Sequence, residues 1–432
     1  MREMKDSGVA WIGEIPKDWK ISKIKNISVS LKSGGTPDSS KDEFYVDKEV
    51  GIPWVAIADM SGKPYITYTQ KYITEEARKS KNLTIFEAGT ILYAMYASVG
   101  KVSVLGVKAT INQALLAISL KKGIDDAYCT FALNAWEPYI ISESNGTTQF
   151  NLNANKVANL QIPMPPENRQ RIISDCINGN CVKVDSLIAN VQAQIEKLKA
   201  YKQSLITEVV TKGLDPSAPM KDSGVDWIGE IPMHWNIVAT KYLFEIFSGA
   251  TPKSEIIANW DGNIIWITPA DYKTDDVFVS CGRRNLSEQG FASCSTSIIP
   301  ANSIIFSKRA PIGAVAINTV ELCTNQGCLS CVNKDESNIN AKFFYYVMAI
   351  ATEHYELLGS GTTFKEISAS NFANFVLPWP AIDEQIAMVE YLDDKCTMIA
   401  QLIAIKQKKI NKLTEYKKSI IYEYVTGKKE VS

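Results

Sequence analysis

The chain has 432 residues, 46 of them Lys or Arg and 47 Asp or Glu, for a net charge of -1; 46% are hydrophobic and 22% charged. That composition excludes wholesale disorder, a strongly basic nucleic-acid coat and an acidic tail, and about 150 residues per domain predicts two or three domains. No apolar run approaches the roughly 18 residues that span a bilayer, and the opening Met1-Arg-Glu-Met-Lys-Asp-Ser lacks the apolar core of a signal peptide. Nine cysteines at irregular spacing point to free thiols in a reducing, cytoplasmic setting rather than a disulfide framework.

Read from the N-terminus, the first feature is one half of a repeat. Residues 4–19, MKDSGVAWIGEIPKDW, match residues 220–235, MKDSGVDWIGEIPMHW, at thirteen of sixteen positions. The correspondence continues with drifting spacing. Ser33-Gly34-Gly35-Thr36-Pro37 matches Ser248-Gly249-Ala250-Thr251-Pro252, and Trp54 and Asp59 match Trp266 and Asp271. Gly100 and Asn112-Gln113 match Gly313 and Asn325-Gln326 at a spacing of 213. Gly146-Thr147-Thr148 matches Gly361-Thr362-Thr363, Pro163 and Pro165 match Pro378 and Pro380, and Tyr201-Lys202 matches Tyr416-Lys417. The chain is one unit written twice, with insertions between fixed anchors that belong in surface loops.

Each unit has two parts. In 1–165 and 216–380, short strand-like runs alternate with turns: Ile52–Ile57, Thr90–Tyr93, Val102–Leu105 and Ala109–Ile111 are rich in β-branched or aromatic residues. Phe131–Trp136 and Phe343–Ile350 read as helices, giving an α+β globule. In 166–215 and 381–432 proline is absent after the opening residues until Pro216 and the chain end, and apolar residues recur at steps of three and four. The first stripe is Val184, Leu187, Val191, Ile195, Leu198, Tyr201, Leu205 and Val209; the second is Ile399, Leu402, Ile410, Leu413, Tyr416, Ile420 and Tyr424, interrupted by Lys406. Such stripes are coiled-coil seams. Gly213 and Pro216 end the first helix, and Gly179 is a candidate break near its start. A helix from Val184 to Thr211 is about 42 Å long. The expected architecture is two globular domains separated by long helices that pair antiparallel, with pseudo-two-fold symmetry.

Catalytic signatures are missing. There is no phosphate-binding loop, no dinucleotide fingerprint, no nucleophile elbow and no Asn-Pro-Pro-aromatic or Asp-Pro-Pro-aromatic methyltransferase motif. Cys323-x4-Cys328-x2-Cys331 is similar in spacing to a plant-type iron–sulfur pattern. Its equivalents in the first copy are Thr110, Leu115 and Ile118, small or apolar positions of a packed strand, so structural cysteines and no metal are expected. His234 aligns with Asp18, and His354 has no partner nearby in sequence.

Charge alone does not mark a nucleic-acid binder. Residues 1–165 carry 19 basic and 17 acidic side chains, and residues 216–380 carry 11 and 16. Local candidates remain. Ser307-Lys308-Arg309-Ala310-Pro311 lies in a turn whose counterpart is Ala94-Met95-Tyr96-Ala97-Ser98. Arginine against tyrosine fits two sites that read different bases. Thr147, Thr148 and Gln149, and Thr362, Thr363 and Lys365, are polar loop tips suited to phosphate contact. With Tyr96, Ser98, Lys308, Arg309 and the turn threonines Thr36 and Thr251, they make up the candidate DNA contacts.

The SGVAWIGEIPKDW and SGVDWIGEIPMHW openings, the SGGTP and SGATP turns, the Pro163–Pro166 and Pro378–Pro380 stretches before Gln170 and Gln385, and the helix end at Gly213-Leu-Asp-Pro216 resemble the specificity subunits of Type I restriction-modification systems. The resemblance covers nearly the whole chain. It implies a non-catalytic subunit with two target-recognition domains, each reading one half of a split, asymmetric site in double-stranded DNA. It implies an antiparallel coiled coil that sets the spacer and docks methyltransferase subunits, two of them by analogy. No cofactor is expected on this chain: S-adenosylmethionine, ATP and magnesium belong to the methyltransferase and the restriction motor-nuclease subunits.

Two other readings stand beside it. One is a specificity subunit serving a Type II-like methyltransferase–nuclease. The other is a duplicated scaffold that binds protein or glycan through Trp11, Trp19, Trp227 and Trp235. Their matched positions among apolar residues favour packing over ligand contact.

Overall fold

The computed structural model describes residues 2–60, 64–96, 98–137, 139, 152–272, 277–309, 311–361 and 365–431. The chain divides into two units, 1–192 with 408–432 and 193–407.

The first unit opens with the antiparallel pair Met4–Asp6 and Glu14–Pro16, which brings Trp11, Ile12, Ile15 and Trp19 into the core. Its main sheet has five strands in the order Ser28–Ser33, Leu115–Leu120, Ile91–Ala94, Val102–Leu105 and Tyr65–Ile66. Every residue of Ile91–Ala94 is buried, as its unbroken apolar run requires of a strand covered on both faces. A four-stranded sheet follows the order Thr110–Ile111, Ile52–Val55, Lys71–Ile73 and Tyr45–Val46. Pro163 lies in Gln161–Met164, which among the described residues pairs only with Lys20–Lys23. A two-stranded edge tolerates the missing N–H. The strand-like runs fall close to the ranges read from sequence, whereas the helix expected at Phe131–Trp136 runs from Asp126 to Asn134, starting at the N-cap Asp125.

The second unit repeats this plan. Its five-stranded sheet runs Phe244–Ser248, Cys328–Asn333, Ile304–Ser307, Val315–Asn318 and Phe278–Val279. A three-stranded sheet orders Arg284–Leu286, Trp260–Ile267 and Cys323–Thr324. The helix Ala341–Ile350 buries seven of its ten side chains in the core. The fold is therefore α+β, with two globular parts and two long helices.

Those helices are Glu167–Lys212 and Ile382–Val425, of 46 and 44 residues. The first runs unbroken through Gly179, so the candidate break is not one. A helix interior tolerates glycine at a cost of about 1 kcal/mol against alanine, and 46 residues of otherwise continuous helix absorb it. The stripes need correction in phase. Leu187 is 52% and Leu402 47% exposed. Tyr201 and Tyr416 also face solvent. Between Cys181 and Leu205 the positions withdrawn from water are Cys181, Val184, Ile188, Val191, Ile195, Leu198, Lys202 and Leu205, a strict alternation of three and four. In the second helix, between Cys396 and Ile420, they are Cys396, Ile399, Ile403, Lys406, Ile410, Leu413, Lys417 and Ile420, with the same alternation. Only Ile188 and Ile403 keep the heptad phase, so they displace the more obvious leucines beside them. Within the first unit Lys417 reaches Asp185 at 2.7 Å; within the second, Lys406 donates to Gln194 at 2.6 Å.

Among the described residues no helix is long and apolar enough to cross a membrane. A methyl group at Gly179 would meet nothing within 4 Å. Gly179→Ala is expected to stabilise the protein by about 0.5–1 kcal/mol through the lost backbone entropy of glycine. Thermal unfolding checks this; a fall in Tm would mean the helix needs glycine there.

Candidate nucleic-acid interface

The repeat anchors build one corner in each unit. A Cβ on Gly34 would lie 1.9 Å from the carbonyl oxygen of Ile111, and one on Gly249 2.2 Å from that of Thr324. Only glycine admits so close an approach. Two residues on, Thr36 or Thr251 donates from its hydroxyl to the side-chain oxygen of Gln113 or Gln326. The indole of Trp54 donates to the Gly35 carbonyl, and that of Trp266 to the Ala250 carbonyl, each at 3.0 Å. The candidate contacts Thr36 and Thr251 are thus half-buried and engaged inside their own corners.

Asp59 and Asp271 close the same corners. Asp59 is 2% exposed and accepts from the backbone N–H of Ala56 at 2.9 Å and of Gln70 at 3.0 Å. Asp271 accepts from the N–H of Thr268 at 2.8 Å and of Arg283 at 3.2 Å. It also takes the Thr268 hydroxyl and the Arg283 Nε. Burial alone would raise the Asp271 carboxyl, but these hydrogen bonds outweigh it and hold the group below its ordinary value. Gln70 and Arg283 carry no motif of their own; only the 213-residue offset that relates Gly100 to Gly313 aligns them.

The turn candidates lie at hairpins between matched strands. Tyr96 is half-buried, packs against the first unit's core, and its carbonyl accepts from the Ser98 N–H. Ser98 is half-buried. In the second unit Lys308 and Arg309 both grip Glu366, at 3.0 and 2.8 Å. The Lys308 side chain is only 15% exposed and that of Arg309 45%. Burial pushes Glu366 up, yet the hydrogen bonds and charges of the two cations hold it below the usual carboxylate range. The apparent basic patch is therefore neutralised in part within the protein. Lys365 is exposed. Thr147, Thr148, Gln149, Thr362 and Thr363 lie outside the described residues.

The three cysteines at iron–sulfur spacing do not converge. Cys323, Cys328 and Cys331 point into three separate apolar clusters. Burial pushes the Cys328 thiol up to about 12 and the Cys323 thiol up to about 11, away from the thiolate a metal needs. All nine cysteines are free thiols. His234 pairs with Glu384 at 3.0 Å, beside the Trp235 indole that donates to the same carboxylate at 3.1 Å. Trp11, Trp19 and Trp235 are buried, and Trp227 stacks on Phe375. The matched tryptophans thus pack rather than present a ligand surface.

The two units thus share one frame of anchors and differ in the turns it carries, Tyr96 and Ser98 in one and Lys308 and Arg309 in the other. The chain belongs to the Type I restriction-modification DNA specificity family, whose domain model matches residues 16–199 and again 232–415. It is similar to the putative type I restriction enzyme MjaX specificity subunit of Methanocaldococcus jannaschii, 25% identical over 96% of this chain and 95% of that one. The MjaIX specificity subunit of the same organism is 35% identical over 39% of this chain and 40% of its own. The fold is similar to a solved chain from work on complex assembly and conformational transition of the type I R-M system. There the TM-score is 0.69 at 15% identity, over 95% of this chain and 98% of that one.

Glu366→Gln would leave Lys308 and Arg309 without their shared counter-charge. Binding to duplex DNA of unrelated sequence is expected to tighten, and its slope against log salt to steepen by one to two ion equivalents. Fluorescence anisotropy across a salt series measures both; an unchanged slope would place this turn away from DNA.

Proposed function

We propose that residues 1–165 and 216–380 are two target-recognition domains, each reading one half of a bipartite, asymmetric DNA site, and that residues 166–215 and 381–432 set the spacer and dock methyltransferase subunits. The observation that carries this reading is the matched pair of corners, identical in their backbone anchors and different in their exposed side chains. In each, a buried aspartate holds the same backbone N–H while the residue bearing it changes from Gln70 to Arg283. A shared frame with unequal side chains suits two unequal half-sites, as a symmetric dimer suits a palindrome.

The long helices act as an antiparallel coiled coil. The strict four-and-three burial supports this, as do the cross-helix contacts of Lys417 with Asp185 and of Lys406 with Gln194. Polar groups placed in such a seam specify register at some expense in stability. The near-neutral charge of the chain fits a subunit that shares phosphate contact with its partners. Methylation, translocation and cleavage then belong to the methyltransferase and restriction subunits.

Co-expression with the neighbouring methyltransferase subunit, in a host lacking adenine methylation, tests the role directly. Single-molecule sequencing is expected to show methylated adenines in a split, asymmetric motif that vanishes without this chain. An assembled complex that methylates no such motif would refute the reading. Seven residues inserted in register into each long helix add about 10 Å, the length of roughly three base pairs. The mapped spacer is expected to lengthen by that amount; a spacer indifferent to the insertion would rule out the helices as its ruler.

A further inference from the structure

Gln70 and Arg283 occupy the same place in the two units. Each follows the short strand that pairs parallel within the five-stranded sheet, Tyr65–Ile66 in one and Phe278–Val279 in the other. Each precedes the strand residue opposite the anchor tryptophan: Lys71 faces Trp54, and Arg284 faces Trp266. Each donates its backbone N–H to the buried aspartate, at 3.0 and 3.2 Å. Even the neighbouring cation sits on an equivalent ring, Lys71 over Tyr45 at 5.5 Å and Arg284 over Trp260 at 3.8 Å. Against this fixed frame both side chains at the corner are exposed.

The Arg283 side chain is oriented as well as exposed. Its Nε donates to Asp271 at 2.9 Å and its Nη2 to the Ala270 carbonyl at 2.8 Å, while 68% of the side chain remains open to solvent. Among the described residues, these bonds take the Nε edge of the guanidinium and leave Nη1, with the second Nη2 hydrogen, as a fork for an outside acceptor pair. The corner itself does not need this side chain. In the first unit, among the described residues, Asp59 is held by backbone N–H groups alone, and Gln70 contributes no side-chain bond to it. A carboxylate that fixes an arginine rotamer ahead of binding is the arrangement a base-reading arginine requires.

We propose that Arg283 and Gln70 are equivalent specificity-determining residues, Arg283 reading a guanine in one half-site and Gln70 an adenine in the other. The fork of arginine matches the O6 and N7 acceptors of guanine in the major groove, and the amide of glutamine matches N6 and N7 of adenine. Asp271 is then a positioning residue for Arg283. The inference rests on the reading that the globular parts contact DNA.

The test uses the full chain in complex with its methyltransferase partner, first mapping the wild-type motif and then those of Arg283→Gln, Arg283→Lys and Gln70→Ala. Arg283→Gln and Arg283→Lys are expected to relax or change one guanine in one half-site, leaving the other half-site as it was. Gln70→Ala is expected to relax one adenine in the half-site that Arg283 does not affect. On duplexes that carry the mapped motif, Arg283→Lys is expected to lose about 10- to 100-fold in discrimination at that one base pair. Its salt slope should stay near the wild-type value, because the charge is kept. Motifs unchanged in all three variants would overturn the assignment while leaving the DNA role of the chain intact. Affinity that falls equally on every sequence would make Arg283 a phosphate contact and overturn it too. A wild-type complex without a split motif would remove the DNA reading and this inference together.

Discussion

Two buried amides hold the architecture together. Gln170 is 3% exposed, and Gln385 is fully buried in the first turn of its long helix. The oxygen of Gln170 accepts from the Asp125 N–H at 3.0 Å, and its nitrogen donates to the Pro165 carbonyl at 3.2 Å. Gln385 does the same with the Asn340 N–H and the carbonyls of Asn338 and Pro380, at 2.9 to 3.0 Å. Asp125 and Asn340 are themselves the N-caps of the short helices that follow. One amide thus ties three things inside each unit: the end of the last strand, the start of the long helix, and the cap of the helix packed beside it. A carboxylate could not donate, and an apolar residue would orphan buried backbone groups at about 1–3 kcal/mol each. The direction in which each long helix leaves its globule follows from this clamp.

From that start the seam follows by arithmetic, and the arithmetic explains what could be read in the sequence. Steps of three and four were visible, and so was the helix end at Gly213, which takes φ +77 as a C-terminal glycine should. The phase was not. Leucine at 187 and 402 is the stronger apolar signal, but a heptad counts position, and the β-branched neighbours Ile188 and Ile403 hold the right ones. Lys202, Lys406 and Lys417 fall in the same row as the apolar side chains. A lysine can serve there because its long apolar stem packs while its ammonium reaches out to Gln194 or Asp185. Composition marks such a position as an interruption, although geometrically it is part of the stripe.

The candidate surface was legible to a different degree. The duplicated anchors Gly34, Trp54, Asp59 and Gln113, with their partners Gly249, Trp266, Asp271 and Gln326, could be found by self-comparison; the turn, tryptophan and glutamine bond together, and each aspartate joins them through the N–H of the residue before the one opposite the tryptophan. What they do could not be found that way, because a motif records identity without the bond it makes. Lys308-Arg309 reads as an open basic patch until Glu366, 57 residues away from Arg309, is seen to neutralise it. The cysteine spacing fails for a similar reason. Residues three apart on a strand, such as Cys328 and Cys331, point to opposite faces, so a spacing that suits a loop cannot gather ligands there.

On the proposed reading, the corner at Asp59 and Asp271 lets one frame carry two specificities. The structural duty at position 70 or 283 falls on a backbone N–H, a group that every residue but proline provides. The side chain at that position is therefore released from holding the fold, and glutamine and arginine can exchange there without disturbing the buried carboxylate. The same holds one residue on, where Lys71 and Arg284 keep ladder positions opposite Trp54 and Trp266 with their backbones while presenting different cations. The Arg283 Nε adds a second bond to Asp271, but the backbone N–H alone serves at Asp59; had that side chain been the sole anchor, any change in it would have loosened the corner, and divergence of the two copies would have cost stability. Anchoring through the main chain separates the residues that must stay from those free to differ, which a duplicated recognition scaffold needs if its halves are to read unlike sequences.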